Sequence, residues 1–248
     1  RDERLARLDW SKDERLEVVK AIYKTGVRIP SICFSGHRRY PLGSNDPVLE
    51  EKSLELMKKC IELAQDLGVR TIQLAGYDVY YEEKSPQTRQ RFIKNLRKAC
   101  DWAEEAQVVL AIEIMDDSFI NSIEKYLAVE KEIDSPYLFV YPDIGNVSAW
   151  HNDVYSEFYL GHHAIAALHL KDTYAVTESS KGQFRDVTFG QGCVKWEEAF
   201  DILKQTNYNG PFLIEMWSEN CETVEETRAA IQEAQAFLYP LIKKAGLM

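Results

Sequence analysis

Four residues of types that bind metals each follow a short apolar run. Glu113 follows the run 108–112, Asp143 follows 138–142, His169 follows 165–168 and Glu215 follows 212–214. Any one of them has an ordinary explanation. A glutamate at a strand end is usually solvated or salt-bridged, and a histidine in an apolar strand is usually a hydrogen-bonded core residue. The coincidence of type and place changes the reading, because accidents would scatter donors over both ends of the strands. If the four runs are parallel neighbours, carboxylate, carboxylate, imidazole and carboxylate converge on one point. Three oxygen donors and one nitrogen suit a divalent cation such as Zn²⁺ or Mn²⁺, and Co²⁺ equally. Barrels of alternating strands and helices build their sites in this way, at the C-terminal ends of the strands.

The elements that must position these residues alternate along the chain. Segments 13–25, 47–67, 85–106, 119–133, 195–205 and 223–242 carry helical periodicity, and 148–161 carries it in part. In the first, Leu16, Val19, Ala21 and Ile22 form the expected apolar face; in the second, Leu54, Met57, Ile61 and Ala64 do so. Gly26 and Gly68 stop those helices, and Pro86 opens the third at a favoured first-turn position. Between them, 27–35, 69–75, 108–114, 137–142, 164–170 and 211–216 are predicted strands. They are apolar on both faces, as buried parallel strands are. Strand and helix in repetition imply right-handed βαβ units. The stretch 171–193 reads as a long loop. The expectation is an α/β fold, a (β/α)8 TIM barrel, forming one domain over 1–248. An open doubly wound sheet is the alternative. Six predicted strands against the eight of a closed barrel, with Arg1 opening the chain in place of Met, lead to the expectation that a strand–helix–strand piece lies upstream.

A chain of 248 residues with 45% hydrophobic residues can bury a substantial core. Its formal net charge of -10 argues against nucleic acid as a partner, since such binding needs a basic footprint. Five cysteines, an odd number without a Cys-x-x-Cys spacing, support neither a disulfide framework nor a thiolate zinc site. Reduced thiols point to a cytoplasmic protein. No apolar run is long enough to span a bilayer, and no signal peptide opens the chain, so no membrane partner is expected.

The motifs Ala111-Ile112-Glu113-Ile114-Met115, Tyr141-Pro142-Asp143-Ile144-Gly145-Asn146, Ala167-Leu168-His169-Leu170-Lys171-Asp172 and Leu213-Ile214-Glu215-Met216-Trp217 together resemble the xylose isomerase-like TIM barrel superfamily. Ser35 to Ser44, containing His37-Arg38-Arg39, and Gln73 to Tyr81, containing Ala75-Gly76-Tyr77-Asp78, narrow the resemblance to the bacterial L-ribulose-5-phosphate 3-epimerases, also called L-xylulose-5-phosphate 3-epimerases and sometimes hexulose-6-phosphate isomerases. The likeness covers nearly the whole chain, except that the first two strands of the family are not seen. It implies one divalent metal ion held by Glu113, Asp143, His169 and Glu215. It also implies that Glu113 and Glu215 act as the acid/base pair on a small sugar phosphate. Epimerisation at C3 of a ketose removes a proton beside the C2 carbonyl and returns one to the opposite face. Two bases flanking a cis-enediolate meet that requirement, with the metal as Lewis acid. The implied reaction interconverts L-xylulose 5-phosphate and L-ribulose 5-phosphate, in pentose or ascorbate catabolism, and a homodimer fits the resemblance.

Further residues are assigned to the substrate. His37 follows the first predicted strand and can reach a substrate oxygen, unless it is a surface histidine. Arg38 or Arg39 can meet a phosphate, since guanidinium matches its geometry, but adjacent arginines rarely both point inward. Asn146 either orients a ligand or touches the sugar. Lys171 binds phosphate or a substrate oxygen, or pairs with a neighbouring carboxylate. The loop Phe189-Gly190-Gln191-Gly192 is a weak candidate for a backbone phosphate cradle at a helix start. Tyr77 and Trp217 are read as wall or core, and His151, His162 and His163 as structural or exposed. Rival functions are an epimerase or aldose–ketose isomerase on another ketose or a hexulose 6-phosphate, an apurinic-site endonuclease of the endonuclease IV type, and a sugar-binding protein without catalysis. Five histidines and an acidic chain disfavour the endonuclease, and the paired glutamates disfavour the binding protein.

Overall fold

The computed structural model describes residues 2–219 and 221–248. The chain comprises two compact units, Arg1–Glu113 with Ala128–Phe139, and Ile114–Leu127 with Val140–Met248. Its helices and strands in chain order are α1 (Asp2–Ala6), α2 (Lys12–Thr25), β1 (Ile32–Phe34), α3 (Pro47–Leu67), β2 (Thr71–Ala75), α4 (Pro86–Ala106), β3 (Val109–Glu113), α5 (Ile123–Ile133), β4 (Leu138–Tyr141), α6 (Ile144–Ala149), α7 (Val154–Gly161), β5 (Leu168–Leu170), α8 (Trp196–Gln205), β6 (Phe212–Ile214) and α9 (Val224–Ala245).

Local chemistry sets these limits. Ser11 and Glu14 form a capping box at the start of α2, and Gly26 ends it with φ 71°. Asp46 caps α3 ahead of Pro47, and Gly68 closes it with φ 69°. Ser85 and Thr88 cap α4 reciprocally, and Thr223 with Glu226 caps α9. Each arrangement satisfies N–H groups that a helix start otherwise leaves without partners.

In the first unit β1 pairs in parallel with β2, and β2 with β3, through registers such as Cys33 with Gln73 and Ala75 with Glu113. β4 follows β3 in the sheet order, and the Leu110 N–H donates to Tyr137 O at 2.9 Å where that pairing begins. α3 and α4 pack together, burying Met57, Ile61 and Ala64 of one and Phe92, Leu96 and Ala99 of the other. α2 leans on α3, but no residue of α2 is buried and Leu16 is 47% exposed. Its predicted apolar face is thus only half covered.

In the second unit Val140 bridges Ile165, Asp143 bridges His169, and β5 pairs in parallel with β6. α8 packs between α7 and α9, with Phe200, Ile202 and Leu203 buried.

Six strands form among the described residues where the sequence places them, but shorter. Only Ile32–Phe34 of the predicted 27–35 is strand, and a 3-10 turn over Ser35–Arg38 follows directly. The segment 148–161, expected to be helical in part, holds the end of α6 and all of α7. His151 adopts φ 59°, and Asp153 starts the second helix by accepting from Ser156 N. The predicted loop 171–193 is largely irregular, with antiparallel bridges Tyr174–Gln183 and Thr177–Ser180.

Leu110 is fully buried in β3. Leu110→Ala should cost about 2–5 kcal/mol through lost burial and a residual cavity. Leu16→Ala should cost no more than about 0.5 kcal/mol. Urea unfolding of both variants measures the difference, and equal losses would contradict this placement of the core.

Candidate metal centre

The register of β5 and β6 builds the centre of the second unit. Side chains two apart on a strand share a face. His169 and Lys171 are therefore on one face of β5 and its continuation, and Leu213 and Glu215 on one face of β6. His169 lies opposite Leu213, and the Glu215 N–H donates to Leu170 O at 3.0 Å. That step of the ladder brings Lys171 and Glu215 side by side. Asp143 enters from the other side of β5, where it bridges His169 and the His169 N–H donates to Pro142 O at 3.0 Å.

Asp143, His169 and Glu215 each turn one ligand atom into this space, and those atoms lie within 4.8 Å of one another. His169 Nδ1 is 3.5 Å from Glu215 Oε2 and 4.0 Å from Asp143 Oδ2. The Tyr141 ring, fully buried, lies against the imidazole at a centroid distance of 4.8 Å. Asp143 serves two purposes. Its Oδ1 accepts from the Asn146 N–H at 2.9 Å and caps α6, which leaves Oδ2 for the centre. Asn146 Nδ2 donates to Ile114 O at 2.9 Å. Gly145 allows this turn to pack closely, since a Cβ there would stand 2.6 Å from Lys171 O.

Lys171 is buried and its ammonium lies among the same oxygens, 2.8 Å from Asp143 Oδ2 and 3.1 Å from Glu215 Oε2. Burial pushes the Asp143 carboxyl well above the usual range, against the pull of Lys171. Burial also works to raise Glu215, but Lys171, a hydrogen bond with Asp143 and His169 outweigh it and hold Glu215 down, at about 2. Neither Asp143 Oδ2 nor Glu215 Oε2 accepts a well-directed hydrogen bond, although both are buried. Buried carboxylate oxygens are normally fully satisfied. Here the Lys171 ammonium is what meets both oxygens, and two carboxylates beside an imidazole nitrogen fit a divalent cation in donor type.

In the first unit Glu113 is the last residue of β3, buried, and its Oε2 accepts from the Gln73 amide. Gln73 was not singled out from sequence, although it stands two residues before the end of β2, where side chains sharing that face reach the strand's C-terminal end. His37 follows β1, is buried, and packs edge-on against Phe34 at 4.6 Å. Burial lowers its imidazole to about 3, so it is neutral at physiological pH. It is not the surface histidine that was its alternative. Arg38 donates from Nε to Tyr77 Oη at 3.1 Å and lays its guanidinium over Tyr80 at 4.5 Å, whereas Arg39 is exposed. His151, His162 and His163 are exposed.

The loop 189–192 does not offer a phosphate cradle. Gly190 and Gly192 donate their N–H groups to Asp172 Oδ2 at 2.8 and 3.2 Å, and Gln191 donates to Thr188 O. Asp172 also accepts from Thr173 N, Val194 N and Trp196 Nε1, at 2.9, 3.3 and 3.4 Å. This carboxylate gathers five donors and fastens the loop to the residue after Lys171. A Cβ at Gly192 would lie 2.0 Å from Asp172 Oδ1, so only glycine permits the approach.

The family model described as "Xylose isomerase-like TIM barrel" matches residues 1–241. SgbU of Haemophilus influenzae is 50% identical over 247 residues, covering 100% of this chain and 85% of that protein. The Escherichia coli protein named L-ribulose-5-phosphate 3-epimerase UlaE is 49% identical over 247 residues, covering 100% of this chain and 84% of that one. A solved structure titled "Structure of L-ribulose 3-epimerase" superposes with a TM-score of 0.75 at 18% identity, over 92% of this chain and 80% of that chain, and so shares the fold.

Replacing Asp172 by Ala removes the acceptor of five donors and should cost at least about 3 kcal/mol, since each buried N–H left without a partner costs about 1–3 kcal/mol. Amide exchange at Gly190 and Gly192 should quicken in parallel, as read by hydrogen–deuterium exchange. Unchanged exchange there would show that the loop is held by other contacts. With the barrel family matched over nearly its full length and relatives half identical from end to end, the chain belongs to the xylose isomerase-like TIM barrel family, alongside the L-ribulose-5-phosphate 3-epimerases.

Proposed function

We propose that this protein is a metal-dependent isomerase, a sugar-phosphate 3-epimerase that interconverts L-xylulose 5-phosphate and L-ribulose 5-phosphate. One observation carries the proposal. The group Asp143–His169–Glu215, buried except for a half-buried Glu215 and with ligand atoms within 4.8 Å of one another, stands in a chain about half identical to a named L-ribulose-5-phosphate 3-epimerase.

By resemblance to the family, we assign Glu113, Asp143, His169 and Glu215 as the ligand set. Chain continuity supports including Glu113. It is bonded to Ile114, whose N–H donates to Tyr141 O at 3.3 Å and whose carbonyl accepts from Asn146 Nδ2. Zn²⁺, Mn²⁺ and Co²⁺ all suit the donors. When bound, the ion would supply Lewis acidity to the reacting ketose.

The chain's own residues move the protons. Glu113 and Glu215 flank the sugar, one taking the C3 proton to give a cis-enediolate and the other returning a proton to the opposite face. Which begins depends on direction. His37, Arg38, Asn146 and Lys171 are assigned to the substrate. His37, Asn146 and Lys171 each follow the C-terminal end of a strand, where barrels of this family place their sites. A neutral His37 is able to donate to a carbonyl oxygen, and Arg38 suits a phosphate.

Glu113→Gln and Glu215→Gln should each abolish exchange of the C3 hydrogen in deuterated water while leaving the circular dichroism spectrum unchanged. Full exchange in either variant removes that residue as a base. In the wild type, a chelator should stop deuterium uptake at C3 of L-ribulose 5-phosphate, and metal should restore it.

The raised Asp143 carboxyl adds a pH dependence. Its proton competes with the metal at higher pH than an ordinary carboxyl would. Metal affinity should therefore weaken as pH falls, beginning at a higher pH than for an ordinary carboxylate, with proton release on binding growing over the same interval. Calorimetry in buffers of different ionisation enthalpy measures both. Affinity independent of pH would contradict a role for Asp143 as ligand.

A further inference from the structure

We propose that Lys171 is a resident counter-ion of the metal centre, displaced from the ligand carboxylates when the metal binds. The inference rests on the metal centre proposed above. Among the described residues Lys171 is the buried lysine, 6% exposed. Its Nζ does not merely lie near the centre. It contacts Asp143 Oδ2 and Glu215 Oε2 at 2.8 and 3.1 Å, the oxygens nearest His169 Nδ1. Ammonium and metal ion therefore compete for the same lone pairs.

The backbone around Lys171 leaves the side chain as the part able to move. Its carbonyl abuts Gly145, as a Cβ there would stand 2.6 Å away. Leu170 O, before it, accepts from Glu215 N, and Asp172, after it, is fixed by its five donors. Thr173 Oγ1 donates to Gly145 O at 2.8 Å. The Lys171 Nζ already lies 5.4 Å from the centroid of the Trp217 ring, within the range at which an aromatic face attracts an ammonium.

Two carboxylates side by side, Asp143 fully buried and Glu215 half-buried, need compensation, and the lysine supplies it before the metal does. A divalent ion on the same oxygens makes a second cation there repulsive. Loading the metal and turning Lys171 outward are thus one event, and metal affinity is lower than the ligands alone would give. The turned-out ammonium becomes available to an anionic substrate only in the loaded state.

The test titrates chelator-stripped protein with Zn²⁺ or Mn²⁺ at pH 8 by calorimetry. Lys171→Met and Lys171→Gln should bind metal at least about tenfold more tightly than the wild type, a change of about 1.4 kcal/mol. Their melting temperatures in chelator should fall, so that the rise on adding metal is larger. Unchanged or weaker binding in both variants overturns the inference while leaving the metal centre standing. If neither variant folds, wild-type protein carrying 13Cε-labelled lysine decides. One lysine signal should shift in step with added metal up to one equivalent, and lysine signals that all stay fixed would overturn the inference. Failure of the wild type to bind metal at all would remove both this inference and the centre on which it rests.

Discussion

The second unit depends on the pairing of β5 with β6 in one register. That register sets His169 opposite Leu213, and so brings Lys171 level with Glu215. A slip of one residue would turn every side chain of β6 to the other face, placing Glu215 away from His169 and Ile214 among the charges. The hydrogen bond from His169 N to Pro142 O fixes the other side in the same manner and brings Asp143 to the imidazole. Ligand geometry is thus a consequence of backbone pairing.

Collecting charge in a buried place has a cost, and the local structure offsets it one atom at a time. Asp143 spends one oxygen on the start of α6 and keeps the other for the centre. Lys171 neutralises part of the charge of Asp143 and Glu215. Asp172, the next residue, is buried too, yet it is satisfied by five N–H donors and takes no part in the ligand group. Adjacent residues of similar burial therefore have opposite characters. One is a cation held among incompletely bonded oxygens, and the other an anion whose acceptors are filled. The first kind of environment is typical of binding sites and the second of structural hubs.

Much of this was legible in the sequence, because it follows from period and punctuation. Apolar runs ending in Glu113, Asp143, His169 and Glu215 gave both the strands and the donors, and Gly26, Gly68 and Pro86 gave helix limits that the structure repeats. What escaped depends on contacts between distant segments. Nothing in the periodicity of 171–193 shows that Asp172 would take the N–H groups of Gly190 and Gly192, which removed the phosphate reading of that loop. Nor does the local pattern show that Asp143 caps α6, or that α2 leaves Leu16 exposed. The splitting of 148–161 turns on one left-handed residue, His151, and a cap at Asp153, neither of which alters the apolar spacing. For Lys171 the sequence left open a phosphate, a substrate oxygen or a neighbouring carboxylate; the register places the carboxylates within reach.

The central claim is that one cation is held jointly by residues from the ends of separate strands. The most direct measurement is anomalous diffraction from crystals grown with Mn²⁺ or Zn²⁺. The account predicts a single strong peak about 2.0–2.2 Å from Asp143 Oδ2, Glu215 Oε2 and a His169 ring nitrogen, with a Glu113 oxygen at the same range. A peak elsewhere, or no peak in crystals of protein that epimerises the sugar phosphate, would contradict it.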